Sequence, residues 1–274
     1  MQHAQRFSTV LFTVLAVWML AFTPGTGFAQ NSSGSDVVEV RLLPGWRTAS
    51  GTHMGGIRIR LAPGWKTYWR VPGEAGLPPV LDWGRSQNLA DARVRFPIPS
   101  VFETNGYRTI GYTDEVVLPI ELTPLRRGQP IRIDGKLELG VCQDICMPMT
   151  VLLQGEMPVG GKSDPLIRAA LANQPRRLAA QPRCRLSAIS DGIRLTAELP
   201  RLPGISGAPV VMAELPDPRI WVSEAVTRRA GSVTLVEMDF VAPRGTALAF
   251  DRSALRLTVL GEGGTGVELM GCAR

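Results

Sequence analysis

The stretch GVCQDICMP, residues 140–148, spaces Cys142 and Cys146 as C-x3-C, with a proline two places after the second cysteine. Three chemistries suit such a pair. As a structural bond it closes a loop of only a few residues, removes little unfolded-chain entropy and stabilises weakly. As a metal clip it lacks the four donors that zinc takes. Copper(I) is better served, because Met147 and Met149 add soft thioethers to the two thiolates, although Met149 also suits the core of the strand MTVLLQG. As an exchange pair it needs no cofactor. A thiolate on one protein attacks a disulfide on another, and the second cysteine resolves the mixed intermediate. A tight turn between strands brings the two Cα atoms within the roughly 7 Å that bridging requires. Asp144 sits between the cysteines, and the motif holds no Lys or Arg. A neighbouring carboxylate disfavours a thiolate. The local sequence therefore lacks what makes a strongly acidic, oxidising cysteine, and it points to a reductant or relay.

The remaining cysteines, Cys184 and Cys272, complete an even count. A bond between them would tie the first and last strands of the second half. Its long loop gives a chain-entropy stabilisation of about 4–5 kcal/mol at the upper end, so this pair reads as a structural disulfide. Histidine supplies an exclusion. One of the two histidines, His3, lies in the N-terminal leader, and the other is His53. A histidine-rich zinc site within one chain is ruled out. His53 falls in TASGTHMGG, a turn-like stretch where an exposed side chain is expected.

The elements that must position these residues are strands. In GGIRIRLAPGW, Ile57, Ile59 and Leu61 alternate with Arg58 and Arg60, the period of a half-buried strand. DVVEVRLL, DARVRFP, DEVVLPIEL, IRIDGKLEL and MTVLLQGEM repeat the pattern. The 29 glycines and 22 prolines suit many tight connections and disfavour long helices. Near residue 160 the pattern breaks. PLIRAALANQPRR carries a helical apolar face, with Asp164 placed as its cap. Strands resume after Pro182. The expected fold is all-β: tandem antiparallel sandwiches over 36–160 and 183–274, joined by a short helical linker at 161–182.

Residues 1–29 read as a secretory signal peptide. An apolar run from Val10 to Phe22 is broken by Pro24, and small residues precede a cut after Ala29. The run is short for a membrane span, and nothing later is long and apolar enough. The formal charge of +6 is spread among acids, with no basic stripe for nucleic acid. An exported, periplasmic protein is expected.

Three separated blocks, GWKTYWRVPGEAGLPPVLDW, GYTDEVVLPIELTP and GVCQDICMP, occur in that order. They resemble the N-terminal periplasmic domain of the thiol:disulfide interchange protein DsbD family, over roughly residues 36–160. The C-x3-C form and the tryptophan-rich block are similar to the family's relative, the suppressor of copper sensitivity protein B, whose second part residues 183–274 fit more loosely. The resemblance implies an immunoglobulin-like sandwich that takes electrons from a thioredoxin-like domain, fed by a membrane domain, and passes them to oxidised periplasmic proteins. It implies Cys146 as the attacking thiol and Cys142 as the resolving one. It places a cap loop over the pair at VFETNGYRT, with Tyr107 or Phe102 as the lid. It also puts Tyr68 and Trp69 in the block that lines the site, one of them more in keeping with the sandwich core. DsbD itself separates its cysteines by more residues. The chain holds neither a multi-span membrane domain nor a C-x-x-C thioredoxin-like domain, so a separately encoded, membrane-embedded DsbD- or CcdA-like electron donor is expected. The activity implied is that of a protein-disulfide reductase. The alternative is a periplasmic copper-tolerance protein that holds Cu(I) with Cys142, Cys146 and Met147.

Overall fold

The computed structural model describes residues 33–104, 106–231 and 233–274. The expected signal peptide and its cut after Ala29 lie outside the described residues. In chain order the first strands are β1 (Ser33–Ser35), β2 (Val38–Arg47), β3 (His53–Leu61), β4 (Lys66–Gly73), β5 (Val80–Asp82) and β6 (Leu89–Val94). There follow β7 (Ser100–Thr104), β8 (Tyr107–Thr113), β9 (Glu115–Pro124), β10 (Ile131–Cys142) and β11 (Cys146–Met157). After helix α1 (Pro165–Ala172) come β12 (Arg176–Leu178), β13 (Arg183–Ala188), β14 (Gly192–Leu199), β15 (Val210–Glu214) and β16 (Trp221–Val222). The last are β17 (Val226–Ala230), β18 (Val233–Val241), β19 (Arg256–Gly261) and β20 (Thr265–Met270).

These strands make two sheet pairs. In the first, a sheet ordered β1-β2-β3-β9-β6 faces one ordered β11-β10-β4-β8-β7, with β5 paired to β10. Between them lies a core that includes Ile57, Ile59, Trp69, Leu118, Leu137 and Val141. In the second, β12-β20-β19-β15 faces β13-β14-β18-β16, with β17 on β18. That core includes Leu195, Val236, Phe240, Leu257 and Leu269. The all-β architecture follows from the period-two alternation of these segments, which puts one face of each strand against the opposite sheet. One pair departs from the antiparallel rule: β12 runs parallel to β20.

Helix α1 begins where Asp164 accepts from the Leu166 and Ile167 amides, satisfying two of the donors a helix start leaves unpaired. Its buried residues, Ile167 and Ala170, pack with Met54 and Val117. The helix is therefore fastened to the back of the first sheet pair rather than strung free between two bodies.

His53 corrects an expectation. It opens β3 and is fully buried. Its Nε2–H donates to the Pro44 carbonyl, while Nδ1 is buried without a partner. His53 shares the face of β3 that carries the core residues Ile57 and Ile59, which turns the ring inward, and the glycines around it did not signal this. Burial depresses its pKa, the Pro44 bond opposes that shift, and the Arg47 charge adds to it. An unfolded imidazole protonates near 6.5, and the folded one resists. The stability His53 contributes is thus present above that pH and is lost as the pH falls through the depressed folded value. Urea midpoints are expected to drop between pH 7 and pH 5 in the parent protein, and the drop is expected to flatten in His53→Gln.

Candidate active site

The site sits on the outer face of the second sheet, opposite its core. In β4 the odd positions face inward: Trp69 is fully buried in the sandwich core. The even positions, Lys66, Tyr68 and Arg70, share the outer face, as alternation requires. In β10, Leu137, Leu139 and Val141 belong to the core. Gly140 and Cys142 therefore lie on the same outer face as Tyr68. The alternation puts Tyr68, and not Trp69, on the face that carries the cysteine pair.

β10 and β11 form one long hairpin, paired from Ile131↔Met157 to Cys142↔Cys146. The two cysteines are the last ladder pair before the turn of Gln143, Asp144 and Ile145. Their Cα atoms are 4.2 Å apart, and they are disulfide-bonded. The two cysteines differ in access. Cys142 is 1% exposed, whereas Cys146 is exposed on the rim. The chain neighbours of Cys146 are apolar and exposed, Ile145 at 76% and Met147 at 37%, so the end of the hairpin carries apolar surface. Asp144 is exposed in the turn, while Met149 packs against the core.

Tyr68 reaches both sulfurs. Its hydroxyl lies 2.8 Å from Cys142 Sγ, to which it donates, and 3.0 Å from Cys146 Sγ. Burial raises its pKa, so the group stays a protonated donor at neutral pH. Gly140 makes room for the ring: a Cβ there would lie 3.0 Å from the Tyr68 ring and 2.7 Å from Leu77 Cβ. Thr67, beneath, donates to the Gly140 carbonyl at 2.8 Å and holds β4 against β10 at this level.

Residues 39–155 match the family described as thiol:disulfide interchange protein DsbD, N-terminal. This part of the chain belongs to the DsbD N-terminal domain family. The N-terminal periplasmic domain of ScsB from Proteus mirabilis has a similar structure, at 25% sequence identity and a TM-score of 0.64. The match covers 89% of this chain and 98% of that one. A marsupial T cell receptor, 12% identical over 86% of this chain and 96% of that chain, has a TM-score of only 0.18 and bears on nothing here. A search of curated proteins finds no match. The all-β, antiparallel frame is that of the immunoglobulin-like DsbD N-terminal fold.

Beside the DsbD-type cysteine pair, the stretch expected as a cap loop is a hairpin of β7 and β8, paired from Ser100↔Gly111 to Thr104↔Tyr107. Its two aromatics diverge. Phe102 is half-buried, with the Lys66 ammonium 5.5 Å from its ring centroid, while Tyr107 is 55% exposed. Lys66 is itself the ladder partner of Cys142. Sequence reading missed Lys66 because it is 76 positions from Cys142 in the chain numbering. The alternation of WKTYWR is the signal that could have found it. No helix among the described residues is long and apolar enough to cross a membrane.

The second cysteine pair differs from the expectation of a disulfide staple. Cys184 and Cys272 are free, buried thiols in this structure, and their side chains interact. The Cys184 amide donates to the Ala273 carbonyl, which brings the two strand ends together. Burial and the Cys272 neighbour push the Cys184 thiol far up, so the thiolate needed for bond formation is scarce. In fully reduced protein, alkylation under native conditions is expected to reach Cys146 first. Cys184 and Cys272 should stay unmodified until the chain is unfolded, which mass spectrometry of time points would show.

Proposed function

We propose that the chain is a periplasmic dithiol–disulfide exchange module of the protein-disulfide reductase type. The observation that carries this reading is the asymmetric pair: an exposed Cys146 at a hairpin end, bonded to a buried Cys142, with one tyrosine hydroxyl in contact with both sulfurs. Exchange needs one accessible sulfur for the partner and one shielded sulfur to resolve the intermediate. Cys146 acts as the attacking and attacked sulfur, and Cys142 resolves. The hairpin bearing Phe102 and Tyr107 serves as the cap. Electrons come from a membrane-embedded DsbD- or CcdA-like donor or a thioredoxin-like domain, and pass to oxidised exported proteins. Residues 36–160 are the exchange unit; residues 183–274, which we take as the second domain after the linker at 161–182, brace it. The pair of Cys184 and Cys272 would serve as that domain's staple once oxidised.

The test is a Cys142→Ala variant incubated with a periplasmic extract. It is expected to accumulate mixed disulfides through Cys146 that run as reductant-sensitive adducts. A chain that traps no partner defeats the proposal. The copper reading keeps one favourable observation: Met147 is 37% exposed and follows Cys146 directly. The core position of Met149 removes the second thioether. Stoichiometric Cu(I) uptake that falls in Met147→Leu would favour it.

A further inference from the structure

We propose that Lys66 is the electrostatic partner of the Cys142 thiolate, which stabilises the buried sulfur when the disulfide opens. The inference rests on the exchange reading above and deepens it. The step runs as follows. A thiolate of an incoming dithiol protein attacks the Sγ of the exposed residue Cys146. A sulfur–sulfur bond to the partner forms, the Cys142–Cys146 bond breaks, and its electron pair leaves on Cys142. The partner's second thiolate then attacks the partner's own sulfur, making the partner's disulfide and releasing Cys146. Two electrons have moved from the partner dithiol to this pair, and the two thiolates take up protons according to their pKa values.

The leaving sulfur is the one that can least bear a charge unaided. Cys142 is 1% exposed, and burial disfavours a thiolate. One donor is already in place, the Tyr68 hydroxyl at 2.8 Å. A cation is the second requirement, and the ladder supplies it. Lys66 and Cys142 are directly opposed on antiparallel strands. Side chains so paired point to the same face, with Cβ atoms about 5 Å apart. The four-carbon stem of Lys66 spans that gap with length to spare. In the disulfide-bonded form the ammonium is held 5.5 Å from the Phe102 ring centroid, on the hairpin that flanks the site. A thiolate on Cys142 gives it a stronger counter-charge on the same face.

The other charges near this face do not replace it. Asp144 in the turn and Glu138, two alternate positions down β10, are acidic and oppose a thiolate. On the hairpin, Arg108 lies 3.7 Å from Glu103 and also pairs with Glu224. Lys66 therefore shifts the pair away from the purely reducing character that its local sequence suggests. It makes the oxidised form an easier acceptor for a donor dithiol.

The test isolates one sulfur. In a Cys146→Ala background, the thiolate absorbance near 240 nm is followed against pH. Adding Lys66→Met, which keeps most of the stem, is expected to raise the Cys142 midpoint by about one pH unit, a tenfold loss of thiolate below the midpoint. Lys66→Arg is expected to restore it. An unmoved midpoint in Lys66→Met, or a raised one that Lys66→Arg leaves raised, overturns the proposal. Thermal unfolding of each variant separates charge from folding, and Lys66→Gln replaces the methionine variant if that one unfolds. A parent disulfide that resists dithiothreitol sinks the exchange reading instead, and leaves the midpoint comparison standing on its own.

Discussion

Replacing Cys146 with alanine is expected to reduce exchange with a model dithiol or disulfide partner to the uncatalysed background. Replacing Cys142 with alanine is expected to leave the first half-reaction and stop there. The difference follows from access. Cys142 is 1% exposed, so a partner sulfur is not expected to meet it directly. Cys146 is exposed at the end of the hairpin, with exposed Ile145 and Met147 as its chain neighbours. The two variants should therefore separate in single-turnover assays. One forms no adduct, and the other forms one adduct per chain and no product. The scaffold is not expected to respond to either change, because the short loop closed by the bond contributes little chain entropy. Equal urea midpoints of the two variants and the reduced parent would check this. Adduct formation by Cys146→Ala through Cys142 would contradict the assignment of the attacked sulfur.

The second large effect concerns the seam between the two sheet pairs. Arg70, two residues from Tyr68 on the same face of β4, reaches across to the second pair. Its Nε lies 3.0 Å from both Glu214 carboxylate oxygens. Its Nη2 donates to Thr258 Oγ1 at 3.1 Å and to Glu268 at 2.8 Å. The guanidinium is also 3.9 Å from the Trp69 ring centroid. The three charged side chains are only 15–21% exposed. Arg70→Ala leaves two partly buried carboxylates facing each other, with Arg256 as the remaining cation at 3.7 and 3.8 Å. The loss of one partner from a fully buried pair costs about 3–5 kcal/mol. With the residual exposure here, about 2–4 kcal/mol of stability should go, read as a fall in the urea midpoint. Arg70→Lys should recover only part of it, because a lysine cannot fork between two carboxylates and a hydroxyl while stacking on an indole. A double-mutant cycle with Glu214→Gln tests whether the loss is this contact. A Glu214 coupling near zero would mean that Arg70 acts through its packing on Trp69 alone.

The seam also bears on the site. Met212 and Leu260 of the second sheet pair join the core of the first, and Arg70 fixes β4 only two positions from the tyrosine that contacts the sulfurs. The second sheet pair thus steadies the strand from which Lys66 and Tyr68 project.

Much of this was legible in the chain. The alternation of GGIRIRL and its counterparts determined an all-β protein, because a strand's side-chain period of two is set by the backbone and needs no tertiary information. Asp164 before PLIRAALA marked the start of a helix for the equally local reason that its carboxylate caps unpaired amides. The C-x3-C spacing marked a pair able to bridge, since three intervening residues let a hairpin close with the cysteines opposed. Tertiary structure decided what depends on residues distant in sequence. It chose Tyr68 over Trp69 for the sulfurs, set Lys66 beside Cys142 and sent Arg70 to Glu214 and Glu268. It buried His53, and it left Cys184 and Cys272 as neighbouring thiols. Each of these turns on which strand lies next to which and which face is covered. Ladder register fixes that only after the whole sheet has formed, so no window of sequence around a cysteine or a histidine contains it.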